Sequence, residues 1–322
     1  MATDRRGNDA DRSLAVRAAW LHYIGGLTQS SVAKKLNVSS VKAHRLIAKA
    51  VADGMVKISI EGDIVECIKL ENDLSERFKL NFCEVSPDLG EEGLPLRTLG
   101  MAGESFIRRQ LERETHKTIG IGHGRTLAAA VRSMPYVDAK STRFVSLLGG
   151  LTRDYSANPH DVMHQIAKKT NAQSHVMPVP LFANTAEDRA VLISQKGVRE
   201  MLEMAQSATL KIVGIGTVGE DTQLVQSGMI EPKEIQQVIR EGGIGELLGH
   251  FFDIKGNHLE TTLTSRTIAT QLSDTPDTQV VALAGGTEKI APLHAVLQSG
   301  RLSGLLTDER TARLLLNEPA QT

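Results

Sequence analysis

Aromatic side chains are scarce in this chain, at 3% of 322 residues. That argues against a platform for single-stranded nucleic acid, which works by stacking bases on rings. Cysteine is nearly absent too. Cys67 and Cys83 are the only two, and no metal-type spacing involves them. A reduced, unbridged and non-catalytic pair in a cytosol is expected. No apolar run approaches the length of a membrane span. The opening residues, MATDRRGNDADRS, lack the apolar centre of a secretory signal and read as a frayed polar tail. Neither GxxxxGKS nor GxxxxGKT occurs, which argues against a P-loop NTPase. These absences leave a soluble, cytoplasmic protein with no membrane partner, no cofactor and no metal site.

What is present starts with a short basic segment. From Leu27 to Ile47 the chain reads LTQSSVAKKLNVSSVKAHRLI, two short helices joined by a tight turn. Thr28 precedes a run in which Val32, Ala33 and Leu36 recur at helical spacing, and its hydroxyl suits the free N–H groups of a first turn. Asn37 breaks the run and tolerates a left-handed backbone. Ser39 is the next capping residue. Beyond it Ala43, Leu46, Ile47 and Ala50 form one apolar stripe. The other face carries Ser40, Lys42, Arg45 and Lys49, with His44 at its edge. With Ser39 these are the candidate DNA contacts, because a helix of this kind fits the major groove. A supporting helix is expected upstream, over Leu14 to Ile24. Downstream, Asp53-Gly54 is a turn. Val56, Ile58 and Ile60 alternate as a strand, and a second strand over 64–68 would complete a wing.

Charge separates along the chain. Within residues 1–60 ten basic side chains face four acidic ones, leaving about +6, while the whole chain is −1. A basic head on a mildly acidic body suits phosphate attraction at one end. The length allows a small domain and a large one. The expected division is a DNA-binding domain at 1–60, a linker and helix at 61–79, and an effector and oligomerisation domain at 80–322.

From about residue 80, apolar β-type runs alternate with helical stretches. The runs are Phe82–Val85, Thr118–Ile121, Phe144–Leu148, Ser174–Val179, Leu210–Ile215 and Val280–Ala284. The helices include Ser105–Arg113, Thr126–Val131, Asp161–Lys169, Val198–Gln206 and Lys289–Gln298. The pattern predicts an α/β body with a mostly parallel, Rossmann-like sheet. Ligands bind such sheets at the carboxyl ends of strands. The loops there are glycine-rich: Gly122-His123-Gly124-Arg125-Thr126, Gly149-Gly150 followed by Arg153, Gly216, and Gly285-Gly286 leading to Lys289. Glycine lets backbone approach a ligand, and the N–H groups of a following helix bind anions. Thr126 adds a hydroxyl. Arg125, Arg153 and Lys289 add charge for a phosphate. His123, inside its loop, is a candidate ligand contact. The GxGxG there is not the dinucleotide fingerprint, since its last glycine comes too early.

At this point the chain resembles the SorC family of sugar-responsive bacterial transcription regulators, sometimes grouped with the DeoR type. The residues that carry the likeness are Val38-Ser39-Ser40 through Ile47, DGMVKI (53–58), IGIGHGRTLA (119–128), VPLFA (179–183), GIGT (214–217), GELLGHFFD (245–253), and 284–316. The resemblance implies a winged helix-turn-helix head. It also implies a body similar to sugar-phosphate isomerases and deaminases that binds a ligand without turning it over. A homo-oligomer, dimer or tetramer, would bind operator DNA as a regulator, a repressor by expectation, of a carbohydrate or polyol operon. A phosphorylated sugar or polyol would control it. By the same resemblance Gly122, Gly124 and Thr126 belong to the phosphate loop, with Lys289 reaching it. Glu246 and Asp253 suit sugar hydroxyls. The run SVKAHRLI is similar to that in regulators of erythritol and related polyol operons. Family members often have a basic residue where Ser40 stands, so operator sequence stays open.

The competing reading is a sugar-phosphate isomerase or deaminase with an appended DNA-binding domain. Such an enzyme needs a placed acid or base. No base is tied to the pocket by local spacing apart from Glu246, Asp253 and His123, and no catalytic residue is assigned. His160, His164 and His175 lack a third ligand at metal spacing and read as surface or core histidines. Asp308-Glu309 reads as the start of a final helix. Leu192, Met201, Leu202 and Met204 read as core or subunit interface.

Overall fold

The computed structural model describes residues 3–56, 65–152, 162–271 and 278–317, with side chains from residue 11 onward. The chain forms two compact units, Met1–Gly62 and Asp63–Thr322.

The first unit holds helices α1 (Thr3–Tyr23), α2 (Gln29–Leu36) and α3 (Ser40–Ala52). Its local devices are those expected. The Thr28 hydroxyl accepts from the Ser31 N–H at 3.2 Å, and Ser39 accepts from the Lys42 N–H at 3.2 Å. Asn37 ends α2 in the left-handed region at φ 50°. Ala43, Leu46, Ile47 and Ala50 of α3 are buried with Ala15, Ala18, Val32 and Ala33. Small residues at these contacts let the helices approach closely. Two expectations are corrected. The opening residues are helical from Thr3, since no proline interrupts the register of α1. The wing's second strand is also corrected from Val65 on, because these residues open a helix, α4 (Val65–Phe78). Cys67, Leu70, Leu74 and Phe78 are buried at three- and four-residue spacing, so a helical stripe wins over alternation. The remainder of the wing, 57–64, lies outside the described residues.

In the second unit the strands run β1 (Phe82–Ser86), β2 (Thr118–Ile121), β3 (Arg143–Ser146), β4 (Gln173–His175), β5 (Leu210–Val213), β6 (Gly216–Thr217), β7 (Gly245–Leu247), β8 (His250–Phe252), β9 (His258–Leu259), β10 (Gln279–Leu283) and β11 (Gly304–Asp308). Helices after α4 are α5 (Leu96–Arg113), α6 (Arg125–Ser133), α7 (Met163–Thr170), α8 (Ala186–Ser194), α9 (Lys196–Ser207), α10 (Gln223–Gln226), α11 (Pro232–Arg240), α12 (Ile290–Gln298) and α13 (Glu309–Asn317). Seven strands make a parallel sheet in the order β1-β11-β10-β5-β2-β3-β4. Two apolar layers flank it. One gathers Phe78, Val145, Leu293 and Leu305, the other Phe106, Ile119, Leu127 and Phe144.

The order of the sheet decides where a ligand can enter. From β2 the chain steps outward through β3 to β4. From β5 it steps the opposite way through β10 to β11, against which β1 pairs. Neighbours β2 and β5 are therefore where the winding reverses. Their following loops diverge and leave a crevice at the carboxyl ends of the strands.

A second, antiparallel sheet, β6-β7-β8-β9, was not anticipated. Its strands have two or three residues, too few to show a period. β11 was missed for a different reason, since it is buried along its whole length and shows no alternation. β4 stops at His175, short of the expected Val179. Met177 and Val179 instead pack with Val198 and Ile268.

Candidate effector site

The crevice at the reversal point is a cavity of about 340 Å³. That is the lower range for a small-ligand site. The loop after β2 contributes His123, Gly124, Arg125 and Thr126. The loop after β5 contributes Gly214, Ile215, Gly216 and Thr217. Glu288 and Lys289 follow β10, and Glu246 and Leu248 come from the antiparallel sheet. Asp221, Thr222 and Gln223 close another side.

The first turn of α6 opens beside this cavity. Gly124 precedes it at φ 127°, a backbone angle that disfavours any side chain. No side chain caps the helix. A first turn presents N–H groups without intrahelical acceptors, an arrangement that attracts anions. The Thr126 hydroxyl is held by donation to the Leu283 carbonyl at 2.9 Å, so it positions the turn against β10. Arg125 stands at the rim, 3.6 Å from Glu288.

Lys289 and Glu246 are the buried charged groups of the cavity. The Lys289 ammonium donates to the Ile215 carbonyl at 2.7 Å. Burial pulls its pKa down to about 8, Arg125 adding to the effect and Glu246 and Glu288 opposing it. Burial pushes Glu246 up to about 7, against the Gly249 N–H and Lys289. The Gly249 N–H donates to Glu246 Oε1 at 2.6 Å. The hairpin explains this aim. Leu248 and Gly249 both take positive φ, 52° and 78°, so β7 turns into β8 in two residues and the Gly249 N–H comes back onto Glu246. A buried leucine in the left-handed region is uncommon, and it lines the cavity. The Thr222 hydroxyl is buried with no hydrogen-bond partner among the described residues.

Of the residues expected to bind an effector, the structure brings together His123, Gly124, Arg125, Thr126, Gly216, Glu246 and Lys289. Of the others, those that are described make different contacts. The Gly122 N–H donates to Ile212 as a continuation of the sheet. Gly149 and Gly150 donate to the carbonyls of Ile268 and Met177, and a Cβ on Gly149 would overlap the backbone of Pro180. A side chain on Gly285 would overlap Asp308, and the Gly286 N–H donates to Thr311. Asp253 accepts from the N–H groups of Lys255 and Asn257 and organises its own turn. None of these residues is among those that line the cavity. Arg153 and His160 lie outside the described residues. Asp221, Thr222 and Gln223 escaped sequence reading, since nothing local ties them to the β2 loop.

In the first unit, Ser40, Lys42, His44, Arg45 and Lys49 are all exposed on α3. His44 contacts Gln29 of α2 at 3.1 Å, and Lys49 pairs with Asp53 at 3.1 Å. Val41, 72% exposed among them, was not singled out from the sequence.

Residues 62–317 match the family described as "Putative sugar-binding domain". The chain belongs to this family, that of SorC-type transcriptional regulators. It is 61% identical to the erythritol catabolism regulatory protein EryD of Brucella abortus, over 97% of this chain and 98% of that one. It is 30% identical to the transcriptional regulator LsrR of Escherichia coli O157:H7, over 93% of each. The full-length sorbitol operon regulator SorC of Klebsiella pneumoniae has the same fold, with a TM-score of 0.69 at 24% identity, covering 96% of this chain and all of that one. As a member of the family the chain is a regulator and not an isomerase or deaminase. Among the described residues no helix is long and apolar enough to cross a membrane.

Proposed function

We propose that this protein binds operator DNA of a polyol catabolic operon through α3 and releases or engages it in response to a phosphorylated polyol held at the β2–β5 reversal. The observation that carries the reading is the composition of that cavity. It offers the α6 first turn, Arg125 and the Lys289 ammonium, which suit a phosphate. An anion beside Lys289 would offset the cost of burying its charge. It also offers Glu246, Asp221, Thr222 and Gln223, which suit hydroxyls that both donate and accept. The relationship to the Brucella abortus erythritol regulator favours a four-carbon polyol. The regulator acts as a repressor in the cytoplasm. On α3, Ser40, Lys42 and Arg45 meet phosphates and base edges, and Val41 suits the methyl of thymine. A dimer or tetramer would match a two-fold operator. Effector binding changes DNA affinity only by favouring one arrangement of the oligomer over another.

The test is a thermal-shift titration of the purified protein with erythritol phosphates, five-carbon polyol phosphates and the free polyols. A ligand of the native state raises the melting temperature with dose. The expected result is a response to a phosphorylated polyol that Lys289→Ala abolishes while DNA binding persists. Arg45→Ala should do the reverse. A response to free polyol alone would remove the phosphate from the proposal. No response to any of them would overturn the sensor reading.

A further inference from the structure

A second cavity, of about 330 Å³, lies elsewhere in the body and shares no lining residue with the first. It is lined by Leu247, His250, Phe252, His258, Glu260 and Arg301, among others. Side chains of a strand alternate between faces. Glu246 pairs across with Phe251, and Leu247 with His250. The effector cavity and this one therefore lie on opposite faces of the same hairpin.

His250 of β8 and His258 of β9 meet in this second cavity. His258 sits opposite Phe252, so the two histidines are diagonal neighbours on one face. Their facing nitrogens, Nδ1 of His250 and Nε2 of His258, are 3.1 Å apart. Two imidazole nitrogens on one tetrahedral zinc, each about 2.0–2.1 Å from the metal, stand roughly 3.3 Å apart. The pair needs to open by only a few tenths of an ångström to accept an ion between the two nitrogens. The far nitrogen of His258, Nδ1, lies 3.2 Å from Glu260 Oε1. A carboxylate on the non-ligating nitrogen is the usual device that fixes the tautomer and orientation of a metal-binding histidine.

We infer that His250 and His258 form a binding site for a transition-metal ion of the zinc, nickel or copper type, with Glu260 orienting His258. Imidazole ligands select these ions over magnesium or calcium. Among the described residues no group of three or more histidine, cysteine or acidic side chains is placed around one ion. The remaining positions thus fall to water or an added anion in the cavity. The charged groups around the pair agree with an anion there. Arg301 lines the cavity, and Arg189 and Arg301 act on His250 together with His258, while Glu260 opposes them.

The experiment uses tag-free, EDTA-treated full-length protein and zinc chloride as the probe, followed by calorimetry. Cobalt chloride supplies a visible-absorption check. The expected result is one ion per chain in wild type. His250→Ala and His258→Ala should each weaken binding at least tenfold, and Glu260→Gln about tenfold, the low end for loss of an orienting carboxylate. His258→Gln, which keeps polarity and bulk, is the second variant should His258→Ala fail to fold. The inference is overturned if wild type takes up no zinc. It is equally overturned if folded His250→Ala and His258→Gln bind zinc as wild type does, since the ion would then lie on other histidines.

Discussion

Glu246→Gln should make the body more stable, and increasingly so as pH rises from 4.5 through 7. The carboxylate is buried and its pKa stands at about 7 against an ordinary 4.5. A raised folded value means that the native state binds the proton more tightly than the unfolded chain. Its contribution is fully present below pH 4.5 and is lost as pH rises through 7. A shift of this size corresponds to about 3 kcal/mol at pH 8 and about 1 kcal/mol at pH 5, at 1.36 kcal/mol per unit. Glutamine keeps the shape and still accepts from the Gly249 N–H, but it has no charge to bury. Wild type should therefore lose about 2 kcal/mol against the variant between pH 5 and pH 8. Urea denaturation of both proteins across that range, followed by far-UV circular dichroism, measures the difference, and titrations of groups other than Glu246 and its partner Lys289 cancel. A difference that stays constant with pH would refute the reasoning. So would a variant that loses ground as pH rises, because Lys289 would then be rewarding the charge by more than burial penalises it.

Other expectations follow from single contacts. Ser39→Ala removes the cap of α3 and should cost about 1 kcal/mol in the first unit, read by thermal unfolding. A Cβ on Gly216 would overlap the Glu246 carboxylate, so Gly216→Ala should abolish the thermal shift given by the effector while leaving DNA affinity intact. Thr126→Val leaves the Leu283 carbonyl without its donor and should lower the body's stability by about 1–3 kcal/mol in urea denaturation.

The sequence made some parts of this molecule plain because the physics there is local. Thr28, Asn37 and Ser39 act within three residues of themselves, and their roles could be read directly. The central parallel strands were legible as apolar runs bounded by glycine. The loops after β2, β5 and β10 followed from them. Long-range geometry was not legible. Gly149 and Gly285 look like Gly124 in the sequence, yet they let backbone or side chains pack close where Gly124 opens a helix toward a cavity. Asp253 and Glu246 sit in the same motif. One holds its own turn and the other points into the crevice, a difference made by the two-residue turn at Leu248 and Gly249. Thr222 reaches the site only through the three-dimensional path of the chain.

The pairing of β1 with β11 has a consequence for how the protein is made. The first strand of the body finds its neighbour only when the last one, Gly304–Asp308, has been synthesised. The sheet cannot close before then, and such distant pairings form slowly. The three N-terminal helices depend on contacts within about forty residues and can fold as they leave the ribosome. For most of translation, then, a nascent chain has its helical head formed and its sensor unfinished. Ribosome-bound chains ending before residue 304 would have the means to find DNA but not to answer a ligand.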